Sequence, residues 1–188
     1  MVFDIFMRLF IAIDFNELKL YFKELQKLLP KNAKLSLTKS FHLTLKFLGE
    51  VQPNKVDEIV GILNKIKFET FSVFLDSICI FPNEDYIRVI WIGLNPEKKV
   101  MKLQKQIDES LKNLFKKEKG FKAHITLAKV RYLEDKKTFV EQIKNIKVEN
   151  KKIEINDFRL VKSVLTQQGP VYEDLEVFSL INGKNKVK

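Results

Sequence analysis

The sequence predicts an α+β fold of two lobes, each an antiparallel sheet with outer helices, with a cleft between them. Segments typical of strands and of helices alternate along the 188 residues, and their order in the first half recurs in the second. A tetrapeptide of the form His, apolar residue, Thr, Leu also occurs once in each half, at residues 42–45 and 124–127. Together these observations indicate an internal duplication, with the two motif strands facing each other across the cleft.

The first half begins with apolar and β-branched residues at 8–14, which predict a buried strand. Asn16 is a residue type that caps helices, and the apolar positions after it recur at three- and four-residue steps until Pro30. The remaining predicted elements are a short strand at 34–37, the motif strand at 42–48 that Gly49 closes, a helix that Pro53 opens, and a long strand at 71–81.

The second half repeats this order. Its predicted elements are a strand at 86–94, a helix that Pro96 opens, the motif strand at 123–131, a helix near 134–146, and strands at 153–165 and 171–180 around the turn-forming Gln168, Gly169 and Pro170. We therefore expect one bilobal domain over residues 1–188, with lobes near 7–81 and 86–181 and a frayed tail at 182–188.

The chain is basic, with 34 Lys and Arg against 24 Asp and Glu and a formal net charge of +10. Such a balance favours a polyanionic partner, RNA or DNA before a membrane surface, through attraction to phosphate. A lysine-rich composition that comes from low-GC coding or from heat adaptation would give the same charge.

The expected compartment is the cytoplasm. No apolar run approaches the ~20 residues that span a bilayer. Residues 1–6 lack the basic leader and cleavage site of a signal peptide, and they are an upstream extension if translation starts at Met7. The single cysteine, Cys79, lies in an apolar run and is expected to be a small core residue.

Each motif combines a proton carrier with a hydroxyl group. A lone histidine on an apolar strand is most often a core residue, but this chain has two histidines and both open the same pattern. Because side chains alternate along a strand, His42 and Thr44 share one face, as do His124 and Thr126. Two such strands would surround a reacting centre with two imidazoles and two hydroxyls.

These groups suit attack at a phosphorus atom. With an unperturbed pKa near ~6.5, one imidazole can take a proton from the attacking oxygen while the other gives one to the departing oxygen. The threonine hydroxyls would hold the non-bridging oxygens. The sequence contains no HxH, HExxH or G-x-S-x-G motif and no glycine-rich nucleotide loop, so we expect neither a metal nor a cofactor.

The two motifs, together with the segments RLFIAID, HLTLKFLG, FPNEDYIRVIWIGL and SVLTQQGPVY, closely resemble the 2H phosphoesterases. The resemblance is to the RNA 2′,3′-cyclic phosphodiesterases, also called 2′-5′ RNA ligases, and covers nearly the whole chain from Met7 onward. It implies a bilobal fold, hydrolysis of a terminal 2′,3′-cyclic phosphate on RNA to a 2′-phosphate, and the near-reverse 2′-5′ joining reaction. It also implies that His42 is the proton donor, His124 the proton acceptor, and Thr44 and Thr126 the phosphate-binding hydroxyls.

One position departs from this family, which often has arginine where this chain has Lys129. Lysine neutralises phosphate but lacks the bidentate fork of arginine. We expect Lys129 or Arg131, two residues further along the same face, to contact substrate. An ordinary exposed strand charge is the alternative for either residue.

Other groups near the motifs have both a functional and an ordinary interpretation. The lysines at 116, 117, 119 and 122 lead into His124 and form either a guide for RNA or a solvated loop. Phe41, Phe47 and Tyr172 could each stack on a base, although a core position is the commoner role for such rings.

The expected partner is RNA with 2′,3′-cyclic phosphate ends, tRNA fragments among them, and we expect a monomer that binds no membrane. Two alternatives remain open at this point. One is a 2H enzyme for small cyclic nucleotides or 2′-5′ oligonucleotides. The other is a non-catalytic basic RNA-binding module, against which the intact histidines and threonines of both motifs argue.

Overall fold

The computed structural model describes residues 6–167 and 169–182. Within these ranges the strands are β1 (Met7–Asp14), β2 (Ala33–Leu37), β3 (His42–Val51), β4 (Phe71–Pro82), β5 (Ile87–Asn95), β6 (Ile125–Leu133), β7 (Lys152–Ile155), β8 (Asp157–Thr166) and β9 (Gly169–Ser179). The helices are α1 (Lys19–Lys27), α2 (Val56–Leu63), α3 (Glu97–Ser110) and α4 (Lys136–Asn145). Short 3-10 turns at Asn16–Leu18 and Pro53–Lys55 lead into α1 and α2.

The strands form two antiparallel sheets. Sheet A has the order β3-β1-β8-β9, and sheet B has the order β2-β6-β5-β4-β7. Buried side chains from both sheets and from each of these helices form one continuous apolar core, to which every helix contributes one apolar stripe. The predicted α+β class, with two antiparallel sheets, outer helices and a central cleft, is confirmed.

The two sheets do not follow the two halves of the sequence. In each sheet the motif strand, β3 or β6, lies beside the first strand of its own half, β1 or β5. The next strand comes from the other half: β8 in sheet A and β4 in sheet B. The expected boundary between 7–81 and 86–181 therefore does not separate the sheets, because each sheet takes two strands from the other half: β8 and β9 in sheet A, and β2 and β4 in sheet B. Strands β8 and β4 occupy the same place in the two sheets, which supports the internal duplication, whereas β2 lies beyond β6 and has no equivalent in sheet A.

The continuous strand expected at 153–165 consists of two strands in different sheets. Ile155 and Phe158 are both buried, so the alternation of buried positions shifts by one residue at Asn156. The carbonyl of Asn156 accepts a hydrogen bond from the N–H of Leu180 at 2.7 Å. This residue is where the chain passes from sheet B to sheet A.

Two local predictions are wrong. Asn16 does not cap the first helix: its amide donates to Asp14 Oδ1 at 2.5 Å, and its Oδ1 accepts from the N–H of Phe41 at 3.0 Å. It therefore ties the end of β1 to the start of β3. Gly49 does not end the motif strand, which continues to Val51, because its φ of 75° accommodates a bulge within the strand.

Cys79 is only partly buried, contrary to the expectation of a core position. It lies opposite Trp91 in sheet B, while its neighbour Ile78 takes the buried position. Expectations about residues 1–5, Gln168 and residues 183–188 lie outside the described residues. No helix in the described ranges is both long enough and apolar enough to cross a membrane.

Candidate active site

The two motifs occupy equivalent places in the two sheets. His42 opens β3, and His124 is the residue immediately before β6. The aliphatic residues at 43, 45, 125 and 127 are buried in the core, whereas both histidines and both threonines are only partly buried. The predicted alternation is therefore confirmed. Strands β3 and β6 contact each other, and the charge of His124 acts on His42.

Both motif strands have a bulge at the fourth motif residue. In β3, Thr44 and Lys46 lie opposite consecutive residues of β1, so that Leu45 has no opposite residue. In β6, Thr126 and Ala128 lie opposite consecutive residues of β5, so that Leu127 has no opposite residue. A bulge reverses the alternation beyond it. The residue after each leucine therefore points into the core, and the next one points to the cleft side.

This reversal gives the two sides of the cleft different chemistry. On β3 the inward residue is Lys46, and the outward residue is Phe47, whose side chain is 69% exposed. On β6 the inward residue is Ala128, and the outward residue is the exposed Lys129. The core position expected for Phe47 is thus wrong, because the bulge could not be read from the strand pattern.

The bulge at Leu127 is held by a buried glutamine on α1. The side-chain amide of Gln26 donates to the carbonyl of Leu127 at 2.8 Å and to the carbonyl of Thr38 at 2.9 Å. The N–H of Thr38 donates to the same Leu127 carbonyl at 2.9 Å. Helix α1 of the first half therefore fixes the motif strand of the second half.

A buried ion pair makes the reciprocal contact. The Lys46 ammonium, 1% exposed, pairs with the carboxylate of Asp108 on α3 and also donates to the carbonyl of Lys116 at 2.7 Å. The same carboxylate accepts the N–H of Glu118 at 3.1 and 3.2 Å. The pair therefore joins β3 to the loop that leads to His124.

The two contacts are related by the duplication. Gln26 lies sixteen residues before His42, and Asp108 lies sixteen residues before His124. Each stands on the helix of one half and braces the motif strand of the other. Sequence reasoning missed both residues, although a polar residue inside the apolar stripe of an amphipathic helix was the available signal.

His42 lies against the apolar floor of the cleft. Phe10, Ala12 and Val161 form a small cluster separate from the main core, with Tyr172 packed against it. The rings of Phe10 and Tyr172 lie 5.0 Å from the His42 ring, Tyr172 edge-on. Burial against these groups, and secondarily the charge of His124, lowers the pKa of His42 from 6.5 to about 4. His42 is therefore neutral at neutral pH.

His124 is oriented by the backbone. Its Nδ1 lies 2.8 Å from the carbonyl oxygen of Lys122, and because a carbonyl only accepts, Nδ1 carries the proton. In the neutral ring, Nε2 then has the free lone pair. The ring meets Trp91 edge-on at 5.8 Å, and the Lys122 ammonium lies 5.1 Å from the centre of the Trp91 ring.

A pocket of about 210 Å³ opens beside His42 on sheet A. The rings of Phe10 and Tyr172 form its apolar side. The guanidinium of Arg159 forms its polar side and pairs with the carboxylates of Asp14, Asp157 and Asp174 at 3.6, 3.2 and 2.8 Å. Arg159, which sequence reasoning missed, is thus neutralised by three acids and serves to hold the pocket wall.

The other candidate residues lie in different surroundings. Phe41 is buried against Phe22, as expected of a core residue. Lys117 pairs with Glu109 at 2.6 Å, so the basic loop is partly neutralised. Lys129 and Arg131 are exposed, and neither forms an ion pair with any described residue. Within the described ranges no group of three or more His, Cys, Asp or Glu side chains is placed to hold a metal ion.

Comparison with known families supports the duplication. The model of the LigT-like phosphoesterases matches this chain twice, at residues 13–91 and 92–172. The chain belongs to this family. It is accordingly a phosphoesterase of the 2H type, and each matched segment of the LigT-like phosphoesterase contains one of the two motifs.

Relatives of this LigT-like phosphoesterase match it over most of their length. The RNA 2′,3′-cyclic phosphodiesterase of Methanocaldococcus jannaschii is 39% identical over 89% of this chain and 97% of its own. The protein of that name from Archaeoglobus fulgidus is 35% identical over 92% of this chain and 99% of its own. Among solved structures, TT0787 of Thermus thermophilus has a TM-score of 0.77 at 26% identity, covering 94% of this chain and 100% of its own. Escherichia coli LigT complexed with 3′-AMP has a TM-score of 0.75 at 24% identity, covering 94% of this chain and 99% of its own.

Proposed function

We propose that this phosphoesterase hydrolyses the terminal 2′,3′-cyclic phosphate of RNA and leaves a 2′-phosphate. The observation that carries the proposal is that the two motifs lie on contacting strands, with His42 and Thr44 on one face of β3 and His124 and Thr126 on one face at the start of β6. The relatives named RNA 2′,3′-cyclic phosphodiesterase support RNA as the substrate class. The net charge of +10 suits a polyanionic substrate.

In the proposed reaction His124 is the general base and His42 the general acid. Nε2 of His124 removes a proton from water as the water oxygen attacks phosphorus. The bond from phosphorus to O3′ breaks, and the His42 imidazolium gives its proton to O3′. The hydroxyls of Thr44 and Thr126 donate to the non-bridging oxygens, where negative charge accumulates. The contact of His124 Nδ1 with the Lys122 carbonyl supports the role of base.

The role of His42 as acid requires that substrate binding protonate it. Its pKa of about 4 reflects burial and the charge of His124. A bound phosphodiester adds a negative charge beside the ring, which favours the imidazolium and raises the pKa. Protonation and substrate binding are therefore coupled. The joining reaction follows the same steps when a 5′-hydroxyl replaces water, and we propose that it gives a 2′-5′ linkage.

The direct test is hydrolysis in EDTA of an RNA that ends in a 2′,3′-cyclic phosphate, with the position of the product phosphate determined. We expect the parent protein to form the 2′-phosphate. His42→Ala and His124→Ala should each lower kcat by roughly 100-fold or more, which is the usual contribution of a general acid or base.

Three outcomes would contradict this proposal. An absence of turnover would favour the non-catalytic RNA-binding module. Turnover unchanged in both variants would exclude the two-histidine mechanism. Turnover of a cyclic mononucleotide but not of RNA ends would move the assignment to small cyclic nucleotides.

A further inference from the structure

We infer that sheet B carries a second binding surface for the single-stranded RNA that precedes the cyclic end. This inference rests on the proposed function. The surface, called the distal surface below, consists of Tyr86, Arg88, Arg131 and Tyr132. These residues line an open concavity of about 320 Å³ where β5 begins and β6 ends.

The distal surface lies on the same side of sheet B as Thr126. Beyond the bulge at Leu127, Lys129 lies opposite the exposed Ser36, and Tyr132 lies opposite the exposed Lys34. The intervening Val130 is buried in the core. Lys129 and Tyr132 therefore continue the face that begins with His124 and Thr126, and the strand forms one track from the motif to the distal surface.

Both arginines of the distal surface are placed by strand irregularities. Pro82 and Phe81 of β4 lie opposite Ile87 and Val89, which leaves Arg88 without an opposite residue. Arg131 is left out in the same way in the pairing of β2 with β6. Ile87 and Val130, the neighbours of these arginines, stay buried. The irregularities thus add cations to the exposed face without disturbing the core.

The chemistry of the distal surface matches single-stranded nucleic acid. The side chains of Tyr86 and Tyr132 are 55% and 61% exposed, and the Arg88 guanidinium lies 4.5 Å from the centre of the Tyr86 ring. Aromatic rings next to unpaired cations bind single strands by base stacking and phosphate attraction. Among the described residues neither arginine forms an ion pair, although Asp85 and Glu134 also line the concavity, as does Lys136.

Distance determines which part of the substrate reaches the distal surface. Arg131 is five residues beyond Thr126, which is roughly 15 Å along a strand. A terminal nucleotide held at the two motifs occupies the near end of this track. Only the nucleotides that precede it in the chain extend to the distal surface, so the surface selects oligonucleotides over mononucleotides.

The test compares kcat/KM for a tetranucleotide that ends in a 2′,3′-cyclic phosphate with kcat/KM for the cyclic mononucleotide. Tyr132→Ala should lower the ratio of the two at least about fivefold, because it removes a stacking ring. Tyr132→Phe should retain the parent ratio. Arg88→Ala should lower the ratio and reduce the salt dependence of tetranucleotide binding by about 0.7 in the log–log slope.

Lys99→Ala, on the outer face of α3, removes the same charge away from the sheet and serves as the matched control. A ratio unchanged in Tyr132→Ala and Arg88→Ala, or lowered equally in Lys99→Ala, would overturn the inference. If the parent hydrolyses neither substrate, the proposed function fails and the inference is tested by fluorescence anisotropy. A labelled oligoribonucleotide that ends in a 2′-phosphate should then bind Tyr132→Ala at least about fivefold more weakly, and equal binding would overturn the inference.

Discussion

At the scale of residues, the burial of His42 determines how the protein responds to acid. Folding lowers the pKa of this imidazole from 6.5 to about 4, so between these values the unfolded chain binds a proton that the folded chain does not. The free energy of unfolding should therefore fall as the pH drops through this window. In His42→Gln, chemical denaturation at several pH values should show a shallower fall than in the parent. Equal pH dependence in the two proteins would contradict this prediction.

The contribution of the two threonine hydroxyls to activity can be tested without changing the shape of either side chain. Thr44→Val and Thr126→Val keep the shape of the side chain and remove the hydroxyl that would donate to a phosphoryl oxygen. Because a hydrogen bond to a charged group contributes about 1.5–3 kcal/mol, kcat/KM for cyclic-phosphate RNA should fall roughly 10- to 100-fold. Serine at either position should restore most of the activity. Full activity in either valine variant would remove that threonine from the proposed mechanism.

At the scale of elements, the buried ion pair of Lys46 and Asp108 joins a strand of the first half to a helix of the second, and its contribution to stability can be measured. Lys46→Met leaves the Asp108 carboxylate buried without its cation and should lower the free energy of unfolding by about 3 kcal/mol. In the double variant with Asp108→Leu, the free energy of unfolding should fall by less than the sum of the decreases in the two single variants. Urea denaturation of all four proteins measures this coupling. Additive losses would show that the two side chains do not act as a pair.

Element positions followed well from the sequence, because apolar periodicity and proline are local signals. Strands β1, β2, β4 and β5 begin and end within about two residues of their predicted bounds. Sheet membership did not follow, since pairing joins residues far apart in the chain. The polar braces at Gln26 and Lys46 were missed for the same reason, because their partners belong to the other half.

At the scale of the whole molecule, the part of the candidate site that occurs in both halves was predictable from the sequence. The faces of His42, Thr44, His124 and Thr126 followed from alternation alone. That pattern does not predict the two bulges, which determine which residues after each motif face the cleft. For this reason Phe47 was expected in the core, whereas its exposed ring lies 6.2 Å from Phe10.

The exchange of strands between the halves also affects how the chain folds as it is synthesised. Strand β1 emerges before β2 to β8, so its pairing with β8 waits until all of these strands have been made. Until then the pair of β1 and β3 has an unpaired edge on β1 as well as on β3, and an apolar face, a state prone to aggregation. Such long-range pairing slows folding. Strands β8 and β9, which leave the ribosome after β1 to β7, therefore complete the sheet that holds the first motif histidine.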